Sequence, residues 1–211
     1  MIISQKHKFI YLAIPKTASC AIEKVLAKYH DTKIETKHNK HAPYTEIAEK
    51  LLQRNMNISD FYVFCFFRNP WDWAVSKYFY HKYDCFLEIA GVDIGKAARN
   101  MTFLDWVKVD KYLNVNVDYP TITMMEFIGG RSNAPYLNIF TYELLQSGLN
   151  FACSQIGIKP EKLEIVNESK LRDHSLGYRE HYQINGIYDK QAIEIVEKHF
   201  KEEIKYFEYA F

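Results

Sequence analysis

A chain of 211 residues with 48% hydrophobic and 25% charged residues has the composition of a globular protein and the length of a single domain, predicted to span residues 1–211. The 27 basic and 26 acidic residues leave a formal net charge of +1, which excludes a general nucleic-acid-binding surface and requires any anion site to be local. No apolar run approaches the roughly 18 residues of a membrane span, and the run behind the basic N-terminus is too short for a signal peptide, so we expect a cytoplasmic protein.

The first half of the chain alternates short apolar runs with segments of helical periodicity. The predicted elements are a strand at 8–14, a helix at 20–29, a helix opened by Pro43 and Thr45, a strand at 61–67 and a helix from Pro70 to about Tyr83. The run 61–67 is apolar on both faces, which is typical of a central strand in a parallel sheet. Pro70 suits the first turn of the helix that follows this strand.

The second half gives weaker signals. We predict a short helix at 102–109, strands or a long loop at 118–130, a strand at 136–140, a helix at 143–156 ending at Gly157, a short strand at 163–166 and a helical region at 189–207. Strands that alternate with helices indicate an α/β fold of three layers, with a mostly parallel central sheet of about four or five strands flanked by helices.

The junction after the first strand has the features of an anion site. The residues Pro15, Lys16, Thr17, Ala18, Ser19 and Cys20 lead from the strand into the helix. Backbone N–H groups at the start of a helix attract anions, and Lys16 adds a full positive charge. The glycines of an ATP- or GTP-binding loop are missing. The alternative is an exposed loop in which Ser19 caps the helix and Lys16 is solvated.

A second candidate site follows the strand at 61–67. Arg68 stands where a parallel strand delivers side chains to a ligand crevice, and Ser76 lies about two turns into the next helix. A guanidinium suits a phosphate, whereas a nucleotide hydrolase usually has an acidic metal ligand at this point. The position therefore favours a second anion bound without Mg²⁺. The alternative is that Arg68 pairs with a nearby carboxylate and Ser76 only packs.

Together the two loops resemble those of the sulfotransferases that use 3′-phosphoadenosine 5′-phosphosulfate (PAPS). The first loop is similar to the family's Pro-Lys-Thr motif, at Pro15, Lys16 and Thr17. The second is similar to its Arg-Asn-Pro…Ser-x-Tyr motif, at Arg68–Pro70, Ser76 and Tyr78. The chain looks most similar to the branch that contains carbohydrate and heparan sulfate 2-O-sulfotransferases.

The resemblance implies a P-loop-like fold, PAPS as the donor substrate, no metal, and a hydroxylated acceptor, in first place a glycan, with no nucleic-acid partner. It implies that Lys16 stabilises the leaving phosphate during in-line transfer. The residues implied in binding the donor are Pro15, Lys16, Thr17, Ala18, Ser19 and Cys20 for the 5′-phosphosulfate, and Arg68 and Ser76 for the 3′-phosphate.

Transfer to a hydroxyl needs a base, and histidine is suited to that role near neutral pH. In the 2-O-sulfotransferase branch a catalytic histidine lies between the two donor loops, shortly before a helix. His41 is the best match to that position, with His38 second and the carboxylate of Glu46 as a third option. A surface histidine in a charged loop is the alternative for either histidine.

Some residues depart from the family pattern. Cys20 and Ala21 replace hydroxyl residues that follow the loop serine in relatives, and Trp73 stands where many relatives have arginine. A nucleotide- or glycan-binding module without turnover is therefore a second hypothesis, and a P-loop kinase-like phosphotransferase is a third. Trp71, Trp73 and Trp106 could stack on sugar rings or form part of the core.

Overall fold

The computed structural model describes residues 1–83, 88–89, 92–113, 122–164 and 186–211. Its strands are β1 (Ile2–Ser4), β2 (Phe9–Leu12), β3 (Tyr62–Phe67), β4 (Glu88–Ile89), β5 (Val92–Asp93) and β6 (Asn138–Thr141). Its α-helices are α1 (Ser19–Leu26), α2 (Tyr44–Leu52), α3 (Pro70–Tyr83), α4 (Ile94–Arg99), α5 (Phe103–Val107), α6 (Asp110–Leu113), α7 (Met124–Phe127), α8 (Leu145–Gln155), α9 (Lys190–His199) and α10 (Lys201–Phe207). Short 3₁₀ turns lie at Ala27–Tyr29, Asn39–His41, Ile58–Asp60, Ala134–Tyr136 and Tyr142–Leu144.

The described residues fall into two compact units. The first contains Met1–Arg68 and Met124–Asn167, and the second contains Asn69–Thr123 and Glu168–Phe211. Within the described parts of the chain, no helix is long and apolar enough to cross a bilayer.

The first unit contains a four-stranded sheet with the order β1-β2-β3-β6. Strands β2, β3 and β6 are parallel, and β1 pairs with β2 in the antiparallel direction. The predicted α/β fold, with a mostly parallel sheet flanked by helices, is therefore confirmed. The apolar run predicted to be a central strand is β3, which lies between β2 and β6.

One face of this sheet forms the core of the first unit. Phe9 and Tyr11 of β2 and Phe64 and Phe66 of β3 are fully buried there. Apolar residues of α1 and α8 complete the cluster, namely Ile22, Val25, Leu26, Leu149, Ala152 and Cys153. The intervening residues of β2 and β3 are buried as well, because both faces of a parallel sheet are covered.

Most helices begin where local sequence signals predict. Helix α3 spans Pro70–Tyr83 as expected, and the side chain of Asn69 accepts a hydrogen bond from the amide of Trp71 (3.1 Å) in its first turn. The region 189–207 is two helices separated at Phe200, and the side chain of Asp189 caps the first by accepting from the amide of Ala192 (2.7 Å).

The structure also contains elements that the sequence analysis does not predict, namely β1, β4, β5, α4 and α6. Two local predictions differ from the structure. Residues Met124–Phe127, assigned to strands or a loop, form the helix α7. Leu163 and Glu164 are not in a strand, and the rest of the strand expected at 163–166 lies outside the described residues.

The second unit is built around α3. Trp73 is fully buried against Phe200, with ring centroids 5.2 Å apart. Trp106 is also fully buried, and its indole N–H donates to Nδ1 of His81 (3.2 Å). These tryptophans belong to the packed interior, which favours the core alternative over stacking on sugar rings. Strands β4 and β5 form a separate two-stranded antiparallel ribbon.

Candidate functional site

The carboxyl ends of three parallel strands meet at one edge of the sheet in the first unit. In the register of the sheet, Leu12 lies opposite Cys65 and Phe67 lies opposite Thr141. The loop that begins after β2, Arg68 after β3 and Tyr142 after β6 therefore emerge at the same edge. This is the edge at which parallel α/β sheets bind ligands.

The loop after β2 has a backbone suited to an anion. Lys16 and Ala18 both adopt left-handed conformations, with φ values of 64° and 61°. Alternation of left- and right-handed residues turns successive backbone N–H groups toward one concavity, where anions bind. Helix α1 starts immediately afterwards at Ser19, and its dipole adds positive potential to the same place.

Thr17 is the most constrained side chain of this loop. It is fully buried, and its hydroxyl donates to the carbonyl oxygen of Ile14 (2.8 Å). That bond closes the loop onto the end of β2. Because the hydroxyl proton is used there, Thr17 can offer a phosphate its backbone amide, whereas Ser19 lies in the first turn of α1.

Arg68 is joined to the same loop. It is 6% exposed, and Nη1 donates to the carbonyl oxygen of Lys16 (3.1 Å). The centre of its guanidinium lies 4.2 Å from the centroid of the Tyr142 ring. The two basic residues of the predicted donor site, Lys16 and Arg68, are thus in direct contact through the backbone of one and the side chain of the other.

His41 lies against the end of β2. Its Nδ1 is 2.6 Å from the carbonyl oxygen of Ala13. A carbonyl can only accept, so Nδ1 carries the proton, and the lone pair of the neutral ring is on Nε2. Burial lowers the pKa of His41 to about 4, despite the opposing hydrogen bond to Ala13, with a further lowering from Lys40. The ring is therefore neutral at pH 7.

The other two candidates for the base are bound to each other. Nδ1 of His38 is 2.6 Å from Oε2 of Glu46, and both side chains are nearly buried. Oε1 of Glu46 accepts from the backbone amide of Lys37 (2.5 Å). Glu46 therefore orients His38 and anchors the segment that leads to His41.

Cys20 also has an identified neighbour. Nζ of Lys40 lies 3.2 Å from its sulfur and 3.0 Å from Oε2 of Glu23. Lys40 and His41 share one 3₁₀ turn, so that turn contacts both the first turn of α1 and the end of β2. The ammonium group therefore stands beside Cys20, one of the predicted donor-binding residues.

Ser76 and Tyr78 lie in α3, in the second unit. Ser76 is half-buried. The hydroxyl of Tyr78 donates to the carbonyl oxygen of Met101 (2.8 Å) and accepts from Nζ of Lys82 (3.0 Å). Tyr78 thus has a structural role within its own unit, and the predicted role of Ser76 stays a prediction.

Comparison with protein families matches residues 1–210 to the sulfotransferase family. The chain belongs to the sulfotransferase family. This confirms the family that the two loops indicate and, in general terms, a sulfuryl transfer. Comparison with curated proteins finds no match, and comparison with solved structures finds none.

In this sulfotransferase, two contacts at the sheet edge were not predicted from the sequence. The sequence pattern does not single out Tyr142, although the parallel register of β3 and β6 places it beside Arg68. The carbonyl of Ala13 carries no sequence signal at all, because every residue offers the same backbone oxygen. The first contact depends on how β3 and β6 pair, and the second on where the 3₁₀ turn Asn39–His41 packs, and the sequence pattern predicts neither closely.

Proposed function

We propose that this sulfotransferase moves the sulfuryl group of PAPS to a hydroxyl of a carbohydrate-like acceptor. The observation that carries the proposal is the meeting of three groups at one sheet edge: the loop of Lys16, the guanidinium of Arg68, and an imidazole at His41 whose lone pair is on Nε2. The carbohydrate acceptor rests on the resemblance to the carbohydrate and heparan sulfate 2-O branch.

The residues present fit a donor with two anionic ends. The amide concavity at Lys16–Ala18 and the start of α1 suit the 5′-phosphosulfate. The planar fork of Arg68 suits a phosphate and supports its assignment to the 3′-phosphate. PAPS supplies a sulfuryl group attached to a phosphate that leaves as an anion.

The roles of the residues follow from charge and proton balance. As the acceptor oxygen bonds to sulfur, its proton passes to Nε2 of His41, and the bond from sulfur to the phosphate oxygen breaks. The ammonium of Lys16 and the loop amides neutralise the charge that develops on that oxygen. Positive protein groups suffice for this step, so the proposal invokes no metal.

Isothermal titration calorimetry tests the donor assignment before any acceptor is known. The ligands are 3′-phosphoadenosine 5′-phosphate (PAP), 5′-AMP and ATP, each with and without Mg²⁺. We expect metal-free binding of PAP to be much tighter than that of 5′-AMP. Removal of a charged hydrogen-bond donor in Arg68→Ala should weaken PAP binding by about 10- to 100-fold, and 5′-AMP binding by a smaller factor because 5′-AMP lacks the 3′-phosphate.

A matched control is Arg99→Ala, which removes the same charge from the exposed end of α4 and should leave all affinities unchanged. Arg68→Lys, with circular dichroism on each variant, separates loss of the fork from loss of folding. ATP binding that requires Mg²⁺, with no preference for PAP, would refute the proposal and favour the kinase-like alternative. Tight PAP binding without transfer to any acceptor would favour the inactive-module alternative.

A further inference from the structure

The guanidinium of Arg68 is held on two sides. The guanidinium carbon lies over the Tyr142 ring, 4.2 Å from the ring centroid, and the carbonyl oxygen of Lys16 accepts from Nη1 at 3.1 Å. Arg68 is 6% exposed, so both contacts are made largely out of water. An attraction between a cation and an aromatic ring is stronger when the pair is desolvated.

Strand pairing explains why Tyr142 occupies this place. Phe67 and Thr141 are partners in the parallel register of β3 and β6, and each is the last residue of its strand. The next residues, Arg68 and Tyr142, therefore start from neighbouring points at the same sheet edge. Thr141 keeps an extended backbone as the chain turns into the 3₁₀ turn Tyr142–Leu144, which fixes where the ring begins.

A guanidinium that lies over a ring and donates one N–H to a fixed carbonyl has a restricted orientation. Its other N–H donors lie in the same plane, so these two contacts limit the direction in which the fork can meet an anion. An arginine side chain otherwise loses considerable rotamer freedom when it binds. Holding it in advance reduces that cost and improves affinity without a new ligand contact.

The same guanidinium also supports the donor loop. Lys16 has a left-handed backbone, which residues other than glycine keep only where surrounding contacts hold them. The bond from Nη1 to the Lys16 carbonyl is such a contact. Whatever fixes the Arg68 side chain therefore also helps to fix the loop that carries the Lys16 ammonium.

We propose that Tyr142 is a positioning residue that holds the Arg68 guanidinium between its own ring and the Lys16 carbonyl, so that recognition of the 3′-phosphate and the shape of the donor loop are set together. This rests on the proposed function, because the phosphate is that of PAPS. Tyr142 acts through Arg68 and not through a ligand contact of its own.

A double-mutant cycle on PAP affinity tests the proposal. Tyr142→Leu should weaken PAP binding by about 10-fold, within the range of a desolvated cation–π contact. It should weaken 5′-AMP binding by a smaller factor, through the donor loop alone, so that the preference for PAP over 5′-AMP falls. Tyr142→Phe retains the ring and should bind PAP within about threefold of the wild type. In an Arg68→Ala background, Tyr142→Leu should change PAP affinity less than twofold, because the partner is already gone.

Tyr136→Leu is the matched control. Tyr136 is 82% exposed in the 3₁₀ turn before β6, so its replacement should leave PAP affinity and selectivity unchanged. The ratio of PAP to 5′-AMP affinity is the decisive measurement, since a loss of overall stability does not alter the preference for a 3′-phosphate.

The outcomes separate two failures. A wild-type chain that prefers ATP with Mg²⁺ refutes the proposed function and this proposal with it. Wild-type binding of PAP, with Tyr142→Leu equally harmful in the presence and absence of Arg68, overturns only the role of Tyr142 and indicates a direct ligand contact. A loss in Tyr142→Phe as large as in Tyr142→Leu also overturns it, because the hydroxyl and not the ring would then be responsible.

Discussion

The imidazole of His41 has two properties that oppose each other in a general base. Its pKa of about 4 keeps it unprotonated at neutral pH, which a base requires, but also makes it a weak base in the free protein. A bound anion nearby favours the protonated ring and so raises its pKa. The proposed donor, which is strongly anionic, would therefore bring His41 closer to a useful basicity only when it is bound.

We predict that His41→Gln reduces transfer by about 100-fold or more, the usual contribution of a general base. Glutamine is polar, is similar in size to histidine and leaves Lys16 and Arg68 in place, so PAP affinity should stay within about threefold of the wild type. Transfer of radiolabelled sulfate from PAPS to a mixture of glycans measures turnover, and calorimetry measures affinity.

The matching variant for this prediction is His38→Gln, which keeps a polar group beside Glu46. It should affect transfer much less than His41→Gln does. If the order is reversed, the base is His38 and Glu46 is the residue that orients it.

Individual site residues differ in how far the sequence reveals them. Lys16 and Arg68 were recognisable because charge, motif spacing and the preceding strands all indicate the same edge. His41 was a candidate from its position before α2, but its tautomer depends on the Ala13 carbonyl, which only the folded chain brings to it. The bond of Thr17 to Ile14 likewise limits a hydroxyl that the sequence assigns to phosphate binding.

Helix α8 illustrates how an element is positioned by one small residue. Gly148 lies where the helix crosses the sheet, and a Cβ added there would be 2.9 Å from both Cβ of Phe140 and Cε1 of Phe66. The backbone of α8 can therefore approach β3 and β6 only because this position has no side chain. The rest of its buried face packs into the same core through Leu149 and Ala152.

We predict that Gly148→Ala lowers the free energy of unfolding by about 1–2 kcal/mol. Alanine gains roughly 1 kcal/mol of helix propensity over glycine, but crowding against Phe66 and Phe140 costs more than this gain in a well-packed core. Urea unfolding measures the difference.

The control is Ser147→Ala on the exposed side of the same helix, which should change the free energy of unfolding by less than about 0.5 kcal/mol. A stabilised Gly148→Ala variant would show that the helix shifts without cost.

Elements with strong local signals were predictable, and those held by distant contacts were not. The start of α3 is marked by Asn69 and Pro70 themselves. Strand β1 has only three residues, and the turn after it is held by the Asp31 carboxylate, which accepts from the amides of Gln5 (2.7 Å) and Lys6 (3.0 Å). Helix α7 is too short for a periodic pattern, and the chain leaves it through Gly129 and Gly130, both with φ of 87°.

At the scale of the whole molecule, titratable groups whose pKa values change on folding make the stability depend on pH. An unfolded chain protonates His41 near its ordinary pKa of 6.5, whereas the folded chain resists protonation down to about 4. Between these values the unfolded state binds more protons, so stability falls as the pH falls. For Asp31, burial alone would raise the pKa, but hydrogen bonds from Gln5 and Lys6 lower it to about 2 from 3.8, which extends the loss to lower pH.

We predict that the wild type loses stability in two successive ranges, from pH 6.5 to 4 through His41 and then from about 3.8 to 2 through Asp31. Over the first range, the free energy of unfolding should fall by roughly 3 kcal/mol if the full pKa shift of His41 is realised. Urea unfolding at pH 7.0, 5.5 and 4.5 should therefore show a smaller slope with pH in His41→Gln than in the wild type. Asp31→Asn should keep the wild-type slope across these three pH values, because Asp31 titrates at lower pH. Equal slopes in His41→Gln and the wild type would mean that folding does not shift the pKa of His41, and the burial that keeps its imidazole neutral below pH 6.5 would be refuted.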